Sequence, residues 1–563
     1  MQVTENKVKL LLSTGGLLVV TVAMTLLVVT TGFFAGINVS QWQFPLSFLL
    51  TAAVYFYAGK VYYQTLSIYL QSLLTCILVI VISMIIAVNF YDVSYDGQSY
   101  HMEEIYQLKN GWNPTRELLP PSVNMALYIN HYSKGVEIPQ SALYSLTNRI
   151  ETGKATNFIL LAAAFCLTLS LLLNLGKLSA PKSVLLSLLA VLNPVAVNQL
   201  FSTYVDGQIA ILLLCFFVTA IWVIRDAGYF NLIVLASIVI ITANIKFTGL
   251  VYIVLFAAAF LAWLLFVNYN KVLFQKAFYT ILISGCVAVF VVGYNPYVKN
   301  TISFHHPFYP LMGENKVDIM GHNLPSGFEG RNGVSKFFIS LFSHTDNVMV
   351  GNKKEIELKI PFTFNKNDIV SSYAIDTRIA GFGALFSGII LLSVLLLVLL
   401  FRKTGSQWKT MKSGIYALGI IILSVILLPE SWWARYVPQL WYFPLIILLM
   451  SELYIKEKIK FLRILMYLCL LVNVSFTLLV FRYNFAMTRL INTQMQKMKE
   501  SGEPIFVQWN SAEANRIRFQ ENNIRYTNRN LEKTPDAEKI ICSEARFVVP
   551  SGPLDPQTSN QND

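Results

Sequence analysis

Two carboxylates four residues apart, Asp92 and Asp96, stand where an apolar run gives way to polar sequence, in Tyr91-Asp92-Val93-Ser94-Tyr95-Asp96-Gly97-Gln98-Ser99-Tyr100-His101. On a continuing helix that spacing puts both acids on one face. A carboxylate held at a membrane boundary can act as a general base, its pKa set by partial burial and neighbouring charge. The competing reading is a polar helix end carrying ordinary surface acids. The residues that follow, from Glu103 to Pro114, read as an amphipathic helix closed by Gly111 and Pro114 and lying along the membrane surface.

The elements that must position these acids are apolar and long. Of 563 residues, 55% are hydrophobic and 13% charged, against about 25% charged in soluble domains. The polar residues gather into a few blocks, and the runs between them approach the twenty residues that cross a bilayer core as a helix. The formal net charge of +12 does not point to nucleic acid, because no zinc-finger spacing or basic helix appears. The positive residues instead cluster between apolar runs, as Lys7/Lys9, Lys177/Lys182, Lys271/Lys276, Arg402/Lys403/Lys409/Lys412 and Lys456/Lys458/Lys460/Arg463. At every second loop, that pattern is the positive-inside bias. Cys76, Cys166, Cys215, Cys286 and Cys469 fall in apolar runs and Cys542 stands alone in the polar tail, so no disulfide framework is readable.

With Lys7 and Lys9 cytoplasmic, spans near 10–31, 45–59 and 66–90 deliver the chain outside for a long polar segment. Spans near 156–175, 183–200, 208–224, 230–243, 248–267 and 277–294 follow, with a tight Asn244-Ile245-Lys246 turn among them. A second long outside segment precedes spans near 380–401, 413–429, 438–455 and 464–481. The expected fold is an all-α polytopic membrane bundle of about thirteen transmembrane helices, with long extracytoplasmic loops and a small C-terminal extracytoplasmic α/β domain. Its segments are 1–90 (three spans), 91–155 (first long loop), 156–294 (six spans), 295–378 (second long loop), 379–483 (four spans) and 484–563 (tail). Within the tail, 504–509 reads as a strand, 512–519 as a helix, and 524–526 and 540–542 as further strands, with the last dozen residues disordered. All six histidines lie in the two long segments, which suggests one shared polar cavity.

Asp96-Gly97-Gln98-Ser99-Tyr100-His101, followed by a helix and Gly111-Trp112-Asn113-Pro114, resembles the GT-C superfamily of integral-membrane glycosyltransferases, in its bacterial surface-polysaccharide form. Further resemblances follow in order. They are Tyr204-Val205-Asp206-Gly207, the hairpin Asn244-Ile245-Lys246-Phe247-Thr248, Asn295-Pro296-Tyr297 with Pro307-Phe308-Tyr309-Pro310, and Ala434-Arg435-Tyr436-Val437-Pro438. Together they cover roughly residues 60–450. The chain departs from the family pattern in two ways: three spans precede the acidic loop, and Asp92 and Asp96 replace an adjacent Asp-Glu pair.

The resemblance implies a GT-C-like bundle that transfers a sugar from a polyprenyl-phosphate or polyprenyl-diphosphate donor to a glycan or lipid-linked acceptor, outside the cytoplasm at the cell (inner) membrane. The acceptor hydroxyl must lose a proton, which gives Asp96 and Asp92 the catalytic role, Asp96 first because it lies within the matching string. Arg435, Lys246 and Arg378 stand at outside span ends and would neutralise the donor phosphate, Arg435 foremost for its bidentate fork. Asp206 and His101 would contact the acceptor or a divalent cation such as Mg or Mn. Trp432, Trp433, Trp441 and Tyr442 read mainly as interfacial anchors.

Two rivals remain. An O-antigen-type polymerase or ligase would share the membrane, donor and outside site, but relies on arginines in large outside loops. A lipid or polysaccharide transporter would need buried charges near the bilayer midplane and internal repeats. The spans here are almost free of charge at their middles.

Overall fold

The computed structural model describes residues 2–63, 66–347, 356–404, 411–455 and 459–550. Lys409, Lys456, Lys458 and the end of the tail from 551 lie outside the described residues.

Among the described residues, seven helices are long and apolar enough to cross a membrane: Glu5–Ala35, Leu66–Val88, Ile150–Leu175, Asp206–Arg225, Phe247–Phe266, Lys271–Val292 and Lys460–Glu500. The helix Leu66–Val88 exposes Leu70, Leu74, Leu78 and Ile85 along one side, a stripe that water would not tolerate and lipid does. The protein is membrane-embedded. Shorter apolar helices fill out the bundle, among them Ala180–Val191, Tyr229–Ile245 and Lys412–Ile426. At 12, 17 and 15 residues they fall short of the roughly twenty that span a hydrocarbon core unaided.

The first helix, Gln2–Ala35, is central. It packs against Gln43–Tyr63, Leu66–Val88, Ala155–Leu175 and Tyr229–Ile245. Several expected spans are broken where the sequence supplies a reason. The run 183–200 stops at Val191, and Asn193 then caps a short helix Pro194–Asn198 by accepting from the Val195 amide at 3.0 Å. The run 464–481 becomes Lys460–Thr477 followed by Leu479–Glu500. The helical arm therefore ends near residue 500, sixteen residues past the expected start of the tail. At one end of the bundle Lys182 and Arg463 share Glu452 (2.7 and 3.4 Å).

At the other end, the two long segments meet. His131 and Asn300 pair side chain to side chain at 2.8 Å, Asn300 donates back to the His131 carbonyl at 3.0 Å, and Asn295 donates to the Pro114 carbonyl at 2.9 Å. The same end carries a four-stranded sheet, β1 (Ile505–Gln508), β2 (Tyr526–Asn528), β3 (Glu538–Lys539) and β4 (Arg546–Val548), in the order β2-β1-β4-β3. β1 pairs parallel with β2 and antiparallel with β4. Helix Asn515–Glu521 packs Phe519 beneath Trp509 and Tyr526. The final strand, β4, was not expected from sequence.

This unit caps the acidic loop. Helix Met102–Lys109 does not lie free on a membrane surface: Met102 and Ile105 pack with Tyr144, Ile150, Ala514 and Ile517, and Glu103 and Glu104 are both 1% exposed. Arg516 meets Glu103 at 2.6 Å.

Glu521, on the docking helix, accepts from the Ile150 amide at 2.8 Å. Burial, against the opposing pull of that amide, pushes its carboxyl up to about 7, with Glu151, Arg149 and Tyr144 as the other ionisable neighbours. A raised carboxyl favours the docked state while protonated, and that contribution fades as pH rises from the ordinary glutamate value of about 4.3 toward 7. The protection of 505–548 against hydrogen exchange, taken relative to the intrinsic amide rate at each pH, is therefore expected to be greater at pH 5.5 than at pH 8, and Glu521→Gln to remove most of the difference. An unchanged pH difference in that variant would assign the effect to another group.

Candidate active site

Arg435 follows the short apolar helix Lys412–Ile426, on a single turn of 3-10 helix, Ala434–Tyr436. Its backbone runs beside residues 377–378: Ala434 N donates to the Arg378 carbonyl and Arg435 N to the Thr377 carbonyl, each at 3.1 Å. Gly381 permits this approach, because a Cβ there would lie 2.8 Å from that of Ala434. The pairing sets Asp376, Arg378 and Arg435 side by side.

The guanidinium of Arg435 is the hub. Its Nη1 lies 3.3 Å from Asp96 Oδ2 and 3.6 Å from Asp206 Oδ2, and its Nε lies 3.3 Å from Asp376 Oδ1. It stacks against Tyr204 (4.9 Å), Trp433 (4.7 Å) and Tyr436 (5.6 Å). Lys246, in the break between helices Tyr229–Ile245 and Phe247–Phe266, reaches Asp206 Oδ1 at 2.9 Å and lies over Tyr436. Arg378 holds Asp376 at 2.9 Å and lies over Trp433, whose indole N–H also donates to Asp376. Three carboxylates thus face three cations. Burial opposes the charge on Arg435, but Asp376, Asp206, Tyr204 and Asp96 outweigh it and push its pKa further up.

The acids differ in access. Asp206 opens the helix Asp206–Arg225, where the helix dipole favours its charge, and its side chain is 2% exposed. Asp376 is 6% exposed, whereas Asp96 is 22% exposed and holds Arg435 through one contact. Asp96 is therefore the carboxylate best placed to meet a molecule arriving from solvent.

Asp92 does not join the cluster. It is fully buried, and its oxygens accept from Ser94 N (2.8 Å), Thr203 N (2.7 Å) and Thr203 Oγ1 (2.8 Å). It ties the acidic loop to the Tyr204 loop. Gly97 leaves the room it needs, since a Cβ there would sit 2.3 Å from Asp92 Oδ2. The backbone at 91–94 is not helical and helix resumes only at Tyr95, so the two acids do not share one face as the four-residue spacing suggested.

His101 also lies beside the cluster rather than in it. Its Nδ1 is 2.7 Å from Glu137, in a buried group with Glu104 and Lys134, which are 3.5 Å apart. Burial foremost pushes the Glu104 carboxyl well up and the Lys134 ammonium down. Among the described residues, no group of three or more His, Cys, Asp or Glu side chains is arranged to hold a metal ion. Asp96 and Asp206 instead face Arg435 and Lys246, so a side-chain cation already meets each of these carboxylates.

The tryptophans are not interfacial anchors. Trp432, Trp433 and Trp441 are at most 1% exposed and Tyr442 is 3% exposed. Their polar atoms are engaged inside, Trp441 with the Leu189 carbonyl and Tyr442 with the Ala210 carbonyl. Trp433 is the floor under both arginines. Sequence reading missed this and missed Asp376; the available signal was an acid two residues before Arg378 at the mouth of an apolar block.

No family model matches this chain, and neither a curated protein nor a solved structure matches it.

Proposed function

We propose that the protein is a GT-C-like membrane glycosyltransferase. It moves a sugar from a polyprenyl-phosphate or polyprenyl-diphosphate donor to a glycan or lipid-linked acceptor, on the extracytoplasmic face of a bacterial cell membrane. The shorter helices complete a bundle near thirteen spans in this reading, and the basic clusters orient it. One observation carries the proposal. Asp96, Asp206, Lys246, Arg378 and Arg435, five residues expected at the site from four separate stretches of chain and one loop end, converge on a single cluster with Asp376.

The chemistry follows from the arrangement. The acceptor oxygen attacks the anomeric carbon, the bond from that carbon to the phosphate oxygen breaks, and the lipid phosphate leaves with the electron pair. The acceptor proton goes to Asp96. The leaving phosphate is anionic, and Arg435 with Lys246 and Arg378 supplies the compensating charge. Before the donor arrives, the three carboxylates occupy those cations. A phosphate that engages Arg435 Nη1 displaces its most exposed partner, Asp96, and so releases that carboxylate to act as a base.

The cluster lies at helix ends rather than mid-helix, which favours an enzyme at the membrane boundary over a transporter with charges at the midplane. Asp96→Asn tests the reading, with lipid-linked sugar transfer measured in membranes at matched protein level. A fall of about a hundredfold or more is expected from loss of a general base. Near-normal transfer would remove Asp96 from that role.

A further inference from the structure

Beside Asp96, three tyrosine rings face one another. Tyr100 is four residues on from Asp96, within the π-helical segment. Tyr128 and Tyr132 come from the helix Ala126–His131 and the residue that ends it. Ring centroids are 6.5 Å apart for Tyr100 and Tyr128, 5.3 Å for Tyr128 and Tyr132, and 6.5 Å for Tyr100 and Tyr132, at interplanar angles of 39°, 63° and 86°. The group is backed on both flanks. Tyr100 lies against His101, which Glu137 fixes, and Tyr132 lies edge-on to Phe247, next to Lys246.

Two features separate this group from ordinary core aromatics. All three residues are only half-buried, although they sit beside the buried charge cluster. Their hydroxyls make no hydrogen bond among the described residues, whereas the buried Tyr252, Tyr297 and Tyr442 each donate to a backbone carbonyl. A tyrosine presents an apolar ring and a polar tip, and a buried tip normally finds a partner. Three tips without partners, on three half-buried rings of which Tyr100 and Tyr132 neighbour Asp96, call for a ligand that is apolar on one face and rich in hydroxyls at its edge. A pyranose has that shape: its axial C–H bonds form an apolar face, and its hydroxyls ring the periphery. An isoprenoid chain would cover the rings and leave all three hydroxyls without partners. Burial first, and then neighbouring tyrosines and the Asp96 charge, push the Tyr100 and Tyr132 hydroxyls up, so both remain donors at any working pH.

We propose that Tyr100, Tyr128 and Tyr132 form the acceptor subsite, a platform on which a terminal pyranose stacks with one hydroxyl turned toward Asp96. This rests on the glycosyltransferase reading and narrows it: the acceptor is a sugar-ended glycan or glycolipid rather than a bare lipid or a peptide. The donor phosphate then approaches from the Arg435, Lys246 and Arg378 side.

The test is binding without donor, on the full chain in nanodiscs, by saturation-transfer NMR with a panel of methyl glycopyranosides (gluco, galacto, manno and N-acetylglucosamine forms). At least one is expected to bind, with transfer strongest to its ring C–H protons. Tyr128→Ala should weaken that glycoside by about fivefold or more, the scale of losing one aromatic contact. Tyr128→Phe, which keeps the ring, should lose less. Tyr128 is half-exposed, and unchanged thermal unfolding of the variants would rule out collapse of the fold. Binding of no glycoside in the panel, or full binding by Tyr128→Ala and Tyr132→Ala, would overturn the proposal. So would loss of farnesyl phosphate binding in place of glycoside binding. Glycoside binding without sugar transfer from any lipid donor would sustain the subsite and sink the transferase reading instead.

Discussion

Arg435→Lys is expected to lower sugar transfer by about a hundred- to a thousandfold, the cost of removing a preorganised donor to developing anionic charge. The substitution keeps the charge, so the size of the effect comes from shape. The guanidinium reaches Asp96 and Asp206 through Nη1 and Asp376 through Nε, while its plane lies against Tyr204 and Trp433. An ammonium is a single point on a flexible stem and can satisfy one of those carboxylates at a time. Arg435→Ala should be worse and harder to interpret, because Asp96, Asp206 and Asp376 would then share only Lys246 and Arg378. Membrane abundance of Arg435→Lys would be checked first, then transfer at saturating acceptor over a range of donor concentrations. A rate within about threefold of wild type, where a preorganised donor should count for far more, would show that Arg435 only holds loops together. A rise confined to donor KM would show that it binds phosphate without stabilising its departure.

The candidate site was legible because of where its residues fall. Asp96, Asp206, Lys246, Arg378 and Arg435 each stand at or near the end of an apolar run, and a bundle brings alternate run ends to one face. Which of them touch was not legible, because contacts such as that of Arg435 with Asp96 join residues 339 positions apart. Asp92 shows the limit well. By type and spacing it was the twin of Asp96, and only the position of Thr203, 111 residues on, makes it a structural tie. The tryptophans mislead for a similar reason. A Trp-Trp pair between apolar runs suits an interfacial belt, and its burial here depends on the loop 376–382 folding across it, which no local pattern encodes. The span count depends on helices of 12 to 17 residues, such as Ala180–Val191 and Tyr229–Ile245, where apolar length alone does not separate a crossing helix from a packed one. In the tail, β1 and the helix after it were readable from alternation and amphipathicity. The three-residue β4 was not, because a strand that short carries too few residues for a period.

Arg518→Ala should release the C-terminal unit from the acidic loop. Arg518 is 2% exposed and donates through Nε and Nη2 to Glu151 Oε1 (2.8 and 2.6 Å), through Nη2 to the Asp92 carbonyl (2.6 Å) and through Nη1 to Asn515 Oδ1 (2.7 Å). Asn515 in turn donates to Gln98 Oε1 at 2.7 Å, and Gln98 donates to the Cys542 carbonyl at 2.8 Å. One guanidinium therefore joins the helix Asn515–Glu521, the start of helix Ile150–Leu175 and the segment that carries Asp96. Removing one partner of a buried ion pair typically costs about 3–5 kcal/mol, because the other charge stays buried. Lys154 still faces Glu151 and should hold the loss toward the lower end of that range. Arg518→Lys should recover only part, since an ammonium cannot meet Glu151, Asn515 and the Asp92 carbonyl together. Limited proteolysis in membranes would follow the release as new cleavage beyond Glu500, and transfer should fall with it as the Asp96 segment loses its outer support. Wild-type resistance to cleavage in Arg518→Ala would show that the apolar contacts of Met102, Ile105, Ala514 and Ile517 suffice to dock the unit. Easy cleavage with full transfer would separate the docking of the tail from the placement of Asp96, leaving the Asp92–Thr203 tie as the anchor that matters.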